Sequence, residues 1–235
     1  MQAVIIAGGK GERMKPLTDE IPKLLLPFNN IPLIEYIIKL LKNYNVKDII
    51  ICAGYLRNKI EEYLYDKDYG IKISVSHENE PLGTAGPLNL IKDKLEENFF
   101  ILYGDIYTNI NLDNISKFHK QKNADVTLVI HESSHPQDST VVTIDKNNKI
   151  TNFLEKPGKD WIKYGNLTSA ALYLVKKDII NFIEVNKKLD FAKDIFPLML
   201  VNNKKLYGYI SNEEYIKDVG TIERYEEVKK DIITK

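Results

Sequence analysis

Apolar runs of strand length recur through the first half of the chain, at AVIIA (3–7), DIIICAG (48–54), IKISVSH (71–77) and FFILYGD (99–105). Each is rich in branched or aromatic residues and closes on Gly, His or Asp, which reads as buried strands. Between them apolar residues return at helical spacing in IPLIEYIIKLLKNY (31–44), LRNKIEEYLYDK (56–67) and GPLNLIKDKLEEN (86–98). Strands that are apolar on both faces and alternate with helices predict an α/β fold, a mostly parallel sheet flanked by helices. The pattern then changes. A helix at 112–123 and a strand at 124–130 precede TVVTIDKNNKITNFLEKP, which reads as a hairpin turned at Lys146–Lys149. A strand at 167–175, helical stretches at 177–185 and 191–203, a strand at 205–210 and a polar amphipathic helix at 223–232 complete the order. This predicts a small antiparallel lobe inserted in the C-terminal half. With no internal repeat, low-complexity tract or Pro/Gly/Ser linker, residues 1–235 read as one domain, with 131–139 and 156–166 as candidate lid loops.

Composition narrows the function classes. Lysine plus arginine equal aspartate plus glutamate at 33 each, so there is no bulk positive field for nucleic acid and any anion site is local. The single cysteine, Cys52, lies inside an apolar run and reads as a buried thiol in a reducing compartment. No stretch has the pattern of a signal peptide or membrane span, so a soluble cytoplasmic protein with no membrane partner is expected. Oligomeric state is not readable from an apolar pattern that also builds the core, and a homodimer is one of the states it allows.

The first strand runs into Gly8-Gly9-Lys10-Gly11-Glu12-Arg13. Residues without Cβ let backbone N–H groups approach an anion, so glycines followed by cations form a phosphate-cradle signal. The P-loop spacing occurs nowhere in the chain. The dinucleotide fingerprint fails at Met14, where a third glycine belongs, and at Pro16, where its helix would run. On charge pattern alone, Lys10, Arg13, Lys15 and Lys23 read equally well as a solvated basic loop. The rest of the sequence is more specific. G-G-x-G-x-R, then Pro16-Leu17-Thr18, Pro22-Lys23-Leu24-Leu25-Leu26-Pro27, EPLGTAGPL (80–88), LYGD (102–105), FLEKP (153–157) and YIKDVGT (215–221) resemble, in order, the signature of the sugar-1-phosphate nucleotidyltransferases.

That resemblance implies a Rossmann-like fold with a nucleotide-binding half (1–110) and a sugar-phosphate-binding half (111–235). The implied reaction is Mg²⁺-dependent attack of a sugar 1-phosphate on the α-phosphorus of a nucleoside triphosphate, with release of pyrophosphate and no covalent intermediate. Catalysis would rest on positioning and charge neutralisation between two anions. Arg13 would grip the triphosphate and Lys23 the phosphates near the reacting centre. Ala7, Gly8, Gly9, Gly11, Glu80, Gly83, Thr84 and Gly104 would bind the nucleotide. Asp105 and Asp218 would hold Mg²⁺, whose other ligands are phosphate and water. Without the resemblance, a lone strand-end aspartate is more simply a turn or helix cap. Glu155, Lys156 and Ser169 would meet the sugar phosphate; read alone, Glu155 and Lys156 are an exposed charged pair before a proline. His77, His119, His131 and His135 lack metal-ligand spacing and are read as loop or surface histidines.

The loop Glu80–Gly86 is most similar to that of the mannose- and heptose-1-phosphate guanylyltransferases, so GTP is the favoured nucleotide. His135–Ser139, Asp190–Pro197 and Leu206–Tyr209 resemble the D-glycero-D-manno-heptose 1-phosphate branch, with mannose 1-phosphate beside it. There is one departure: the N-A-G-x-Y segment of these enzymes reads Ser169-Ala170-Ala171-Leu172-Tyr173. The nucleotide-sugar product would feed capsule, lipopolysaccharide or other surface-glycan synthesis. The frequent β-helix acyltransferase extension is not found after DVGTIERYEEV, and acetyl transfer is not expected. UTP, dTTP or CTP with another phosphorylated acceptor stays open as an alternative, as does a non-catalytic nucleotide-sugar sensor.

Overall fold

The computed structural model describes residues 1–211 and 214–233. Strand β1 (Gln2–Ala7) is apolar on both faces and lies between two parallel neighbours. A long loop with 3₁₀ turns at Glu12–Met14 and Lys23–Leu25 leads to a tight hairpin, β2 (Pro27–Phe28) and β3 (Ile31–Pro32). Asn29 and Asn30, both at positive φ, make its two-residue turn, as asparagine pairs do in type I′ hairpins. Helix α1 (Leu33–Asn43) buries Leu33, Ile34, Ile37, Ile38 and Leu41, a single stripe at helical spacing. Then follow β4 (Asp48–Ala53), α2 (Arg57–Leu64), β5 (Lys72–His77), a 3₁₀ segment (Gly86–Lys94), β6 (Asn98–Tyr103), β7 (Ile106–Thr108) and α3 (Leu112–Lys122). The later chain adds β8 (Val126–Glu132), β9 (Thr140–Ile144), β10 (Ile150–Glu155), β11 (Leu167–Lys176), α4 (Phe196–Val201), β12 (Leu206–Ile210), β13 (Ile216–Asp218) and α5 (Ile222–Ile233).

Nine strands form one mixed sheet. β6, β1, β4 and β5 are parallel, and β11 adds antiparallel to β6. β11 also pairs with β8, which carries β12, and Thr168 reaches the β9–β10 hairpin. Successive residues of β1 enter opposite cores, Ala3 and Ile5 on one face and Val4 and Ile6 on the other, so the sheet is covered on both sides. Among the described residues no helix is long and apolar enough to cross a membrane.

Several predicted elements take a different form. Residues 86–94 make 3₁₀ rather than α turns, and Asn89 Nδ2 donates to the Ile183 carbonyl. The 177–185 stretch is likewise 3₁₀, over Lys177–Phe182. Ahead of Pro197 the helix opens into a π turn at Phe191–Ile195, capped by Asp190 Oδ1 on the N–H groups of Ala192 and Lys193. Not all the histidines lie on loops or the surface. His119 is buried on α3 with Nδ1 2.9 Å from Thr127 Oγ1, and burial pushes its pKa down to about 4. His131 sits on β8, where burial also lowers its pKa and the Asp218 carboxylate opposes that shift.

Candidate active site

The chain leaves β1 for β4 and β5 and returns on β1's other side as β6, so the strand order reverses beside β1. Open α/β sheets bind ligands at such a reversal, beyond the carboxyl ends of the strands. A cavity of about 960 Å³ opens there. Strand ends supply its floor: Ala7 and Gly8 after β1, Gly54 after β4, Glu78 after β5, and Gly104 and Asp105 after β6. The glycine turn adds Gly9, Lys10, Gly11 and Arg13 to the wall, and Lys23 comes from the second 3₁₀ turn. Glu80, Gly83 and Thr84 form the opposite side together with Lys188.

Each of these loops is held in place. Gly83 has φ +78°, and a Cβ there would overlap the Leu189 carbonyl oxygen and lie 2.9 Å from its carbon. That close approach lets Ala85 N–H donate to Leu189 O and Leu189 N–H to Leu82 O. Thr84 Oγ1 donates to Asp190 Oδ2 at 2.8 Å, tying the same loop to the π turn. At Gly8 the neighbour is a carboxylate: a Cβ would overlap Glu78 Oε1 and lie 3.0 Å from the carboxyl carbon. Lys23 Nζ is 2.9 Å from Asp105 Oδ2, whereas Lys10, Arg13 and Lys188 form no ion pair with a described carboxylate. Lys10, Arg13 and Lys188 beside glycine backbone offer donors to a polyanion, with Glu12, Glu78 and Glu80 lining the same cavity.

Asp218 does not line the cavity, but topology brings it beside Asp105, which does. β13 pairs antiparallel with β7, setting Asp218 opposite Ile106, and Val219 N–H donates to the Asp105 carbonyl at 2.8 Å. The two aspartates are thus neighbours across a ladder although far apart in sequence. Both are ion-paired: Asp105 with Lys23, and Asp218 with Arg224 Nη1 at 2.8 and 2.6 Å through its two oxygens. Two half-exposed carboxylates offer the oxygen donors Mg²⁺ requires. Among the described residues no three His, Cys, Asp or Glu side chains cluster as a self-sufficient metal site, so a divalent ion here would draw further ligands from phosphate and water.

Glu155, Lys156 and Ser169 do not line the cavity. Lys156 ends the hairpin at φ +46° with its side chain largely exposed, 3.6 Å from Glu155 Oε1. Ser169 sits at a bulge in β11 beside Ala171 (φ +53°), and its Oγ lies 3.4 Å from Tyr173 OH. Tyr173 packs edge-on against Tyr103, which does reach the cavity wall, so a line of hydroxyls runs from Thr84 through Tyr103 and Tyr173 to Ser169. Burial pushes the Tyr173 phenol up to about 12, keeping it a neutral donor. Glu78, Lys188 and Arg224 were not singled out by motif, and Tyr103 stood in the LYGD stretch without a role. Glu78 carries the signal that marked Asp105, an acid just past a strand end; Lys188 and Arg224 carry none, because only the fold brings them to the site.

The family model described as Nucleotidyl transferase matches residues 2–235. A mannose-1-phosphate guanyltransferase of Saccharomyces cerevisiae is 37% identical over 227 residues, covering 94% of this chain and 61% of the relative. One of Schizosaccharomyces pombe is 34% identical over 233 residues, covering 96% and 62%. The chain therefore spans about three fifths of the length of these curated relatives. Among solved structures, HddC from Yersinia pseudotuberculosis complexed with GMP-PN superposes with TM-score 0.83 at 23% identity, covering 98% of this chain and 99% of that one. A Bacillus anthracis protein, assigned as a glucose-1-phosphate thymidylyltransferase, gives TM-score 0.86 at 21% identity, covering 98% and 94%. These two likenesses share the fold and leave the base open.

Proposed function

The chain belongs to the nucleotidyl transferase family, and on that premise we propose that it transfers GMP from GTP to a sugar 1-phosphate, releasing pyrophosphate and forming a GDP-sugar. The observation that carries this reading is the cavity at the reversal of strand order, where the glycine turn, Arg13, Lys23 and Asp105 meet. Mannose 1-phosphate is the first acceptor to test, because the curated relatives are named for it; D-glycero-D-manno-heptose 1-phosphate is the second.

In the reaction a phosphate oxygen of the acceptor bonds to the α-phosphorus, and the bond from that phosphorus to the bridging oxygen breaks, its electron pair leaving with pyrophosphate. The residues needed are ones that align two anions and absorb the charge of the leaving group. The backbone of Gly8–Gly11 and the fork of Arg13 hold the triphosphate. Lys23, kept in place by Asp105, neutralises oxygens near the reacting phosphorus. Asp105 and Asp218 are the residues that would hold Mg²⁺, which supplies further neutralisation of phosphate oxygens when bound. Residues 1–110 serve the nucleotide and 111–235 the sugar phosphate. Glu155, Lys156 and Ser169 act at the acceptor end, where the serine places a short hydroxyl in the position of the amide found in similar enzymes. The cytoplasm is the proposed compartment.

The test is pyrophosphate release by purified protein with Mg²⁺, over a matrix of the common nucleoside triphosphates and a panel of sugar 1-phosphates. Turnover with GTP and a mannose or heptose 1-phosphate supports the proposal; no release in any combination overturns it.

A further inference from the structure

Asp218, one of the two carboxylates proposed to hold Mg²⁺, is already heavily engaged within the protein. Its Oδ1 accepts from Gly220 N–H at 2.9 Å and from Arg224 Nη1 at 2.8 Å, and its Oδ2 accepts from the same Nη1 at 2.6 Å. A carboxylate offers about four lone-pair directions, so most of them are taken. Arg224 stands in the first turn of α5, where the helix dipole is positive and a cation is disfavoured. Helix stability therefore gives no reason for an arginine there. A second guanidinium is near, since a Cβ on Gly220 would lie 2.7 Å from Asp218 Oδ1 and 3.0 Å from Arg13 Nη2. With Lys23 Nζ 2.9 Å from Asp105 Oδ2, each of the two carboxylates carries a cation of the protein. Both pairs are partly exposed, so they can open without unfolding the chain around them.

We propose that Arg224 is an internal counter-ion that closes Asp218 to divalent cations until the phosphates of the nucleotide are in the cavity. Mg²⁺ sits about 2.1 Å from its oxygen ligands. An ion that close to either oxygen of Asp218 stands beside a guanidinium of like charge, and both carboxylates are already neutralised. The free protein therefore binds the divalent ion weakly. A triphosphate reverses the balance: its negative charges attract Lys23 and Arg224 away from the carboxylates and its oxygens complete the ligand set. Divalent ion and nucleotide then enter together. Arg224 acts through Asp218, which makes it a positioning residue. Its guanidinium has a rigid fork and stays charged at any working pH, so the closure does not depend on proton concentration.

This inference rests on the reading of Asp105 and Asp218 as the Mg²⁺ residues of the proposed transfer, and the experiment separates the two. Mn²⁺, standing in for Mg²⁺, is titrated into the nucleotide-free protein and followed by loss of the free-ion EPR signal, which needs no turnover. Wild type, Arg224→Ala, Arg224→Lys and the double variant Arg224→Ala with Asp218→Asn are compared. Removing one positive charge beside a divalent ion should tighten Mn²⁺ binding by Arg224→Ala ~10-fold or more. Arg224→Lys keeps the charge and should stay near wild type, and the double variant should lose the gain. With a GTP analogue carrying a methylene bridge between the α- and β-phosphorus, the gap between wild type and Arg224→Ala should shrink. Equal or weaker Mn²⁺ binding by Arg224→Ala, a gain that survives the loss of Asp218, or a gap that persists with the analogue overturns the proposal. Alanine is a strong helix former, so Arg224→Ala should melt close to wild type; Arg224→Gln takes its place if it does not fold. Turnover of GTP with unchanged Mn²⁺ affinity removes the role of Arg224 and leaves the transfer standing. A gain through Asp218 without turnover of any nucleotide refutes the reaction and leaves the counter-ion in place.

Discussion

Replacing Gly83 by alanine separates what the cavity needs for folding from what it needs for binding. The residue sits at φ +78°, and its Cβ would overlap the Leu189 carbonyl, a backbone atom that cannot rotate away. Holding a non-glycine residue in the left-handed region costs about 1–2 kcal/mol. Forcing a methyl group against packed neighbours adds about 1–3 kcal/mol, and the loop must shift the Ala85–Leu189 hydrogen bond to relieve it. The sum, about 2–5 kcal/mol, translates for a chain of this size into a melting temperature lower by about 4–20 °C. Gly9→Ala is the matched control, because its Cβ would meet nothing within 4 Å; its stability should stay within about 0.5 kcal/mol of wild type. Gly9 lines the cavity, so that variant should weaken nucleotide binding without weakening the fold. Thermal and urea unfolding of the three proteins are the assays. Gly83→Ala unfolding with the wild type, or Gly9→Ala falling as far as Gly83→Ala, would refute the account of the loop.

Buried His119 makes stability depend on pH. Its folded pKa of about 4 lies below the unfolded value near 6.5, so stability present above 6.5 is lost as pH falls toward 4, by about 3 kcal/mol in all. Urea midpoints between neutral and acid pH should drop more for wild type than for His119→Gln; parallel drops would sink this. Cys52 is fully buried and its thiol pKa is pushed up, so a thiol reagent should label nothing in the folded protein and one site per chain in denaturant. Labelling of the native state at the denatured rate would contradict the packing. Lys23→Met should lower kcat/KM by about 10²- to 10³-fold, the effect of removing one donor from developing charge. Because the Lys23–Asp105 pair is partly exposed, the unfolding midpoint should move little; unchanged kinetics would remove Lys23 from the reaction.

The strands were the legible part of the fold, because β1, β4 and β6 are buried on both faces and must be apolar throughout. Helix type was less so: Leu88, Ile91 and Leu95, three and then four residues apart, follow α spacing, yet Gly86–Lys94 turns as 3₁₀. The three-residue strands β7 and β13 are too short to show a period, and they are what set Asp218 beside Asp105. The motifs led to Gly8, Arg13, Lys23 and Gly83 directly, since each belongs to a contiguous stretch. Lys188 and Arg224 sit in ordinary lysine- and glutamate-rich surroundings, and only long-range packing distinguishes them from solvated charges. Glu78 shows the limit most sharply. Its neighbour Glu80 carries the recognisable motif, yet Glu78 is the buried acid with an unsatisfied oxygen.

Strand β11 joins two parts of the sheet unequally. Leu172–Lys176 are fastened to β6, whereas the β9–β10 hairpin meets β11 at one bridge, Thr168 to Val141, on the far side of the bulge between Ser169 and Tyr173. A shift of the hairpin against the parallel strands therefore strains one bridge to β11 rather than a ladder.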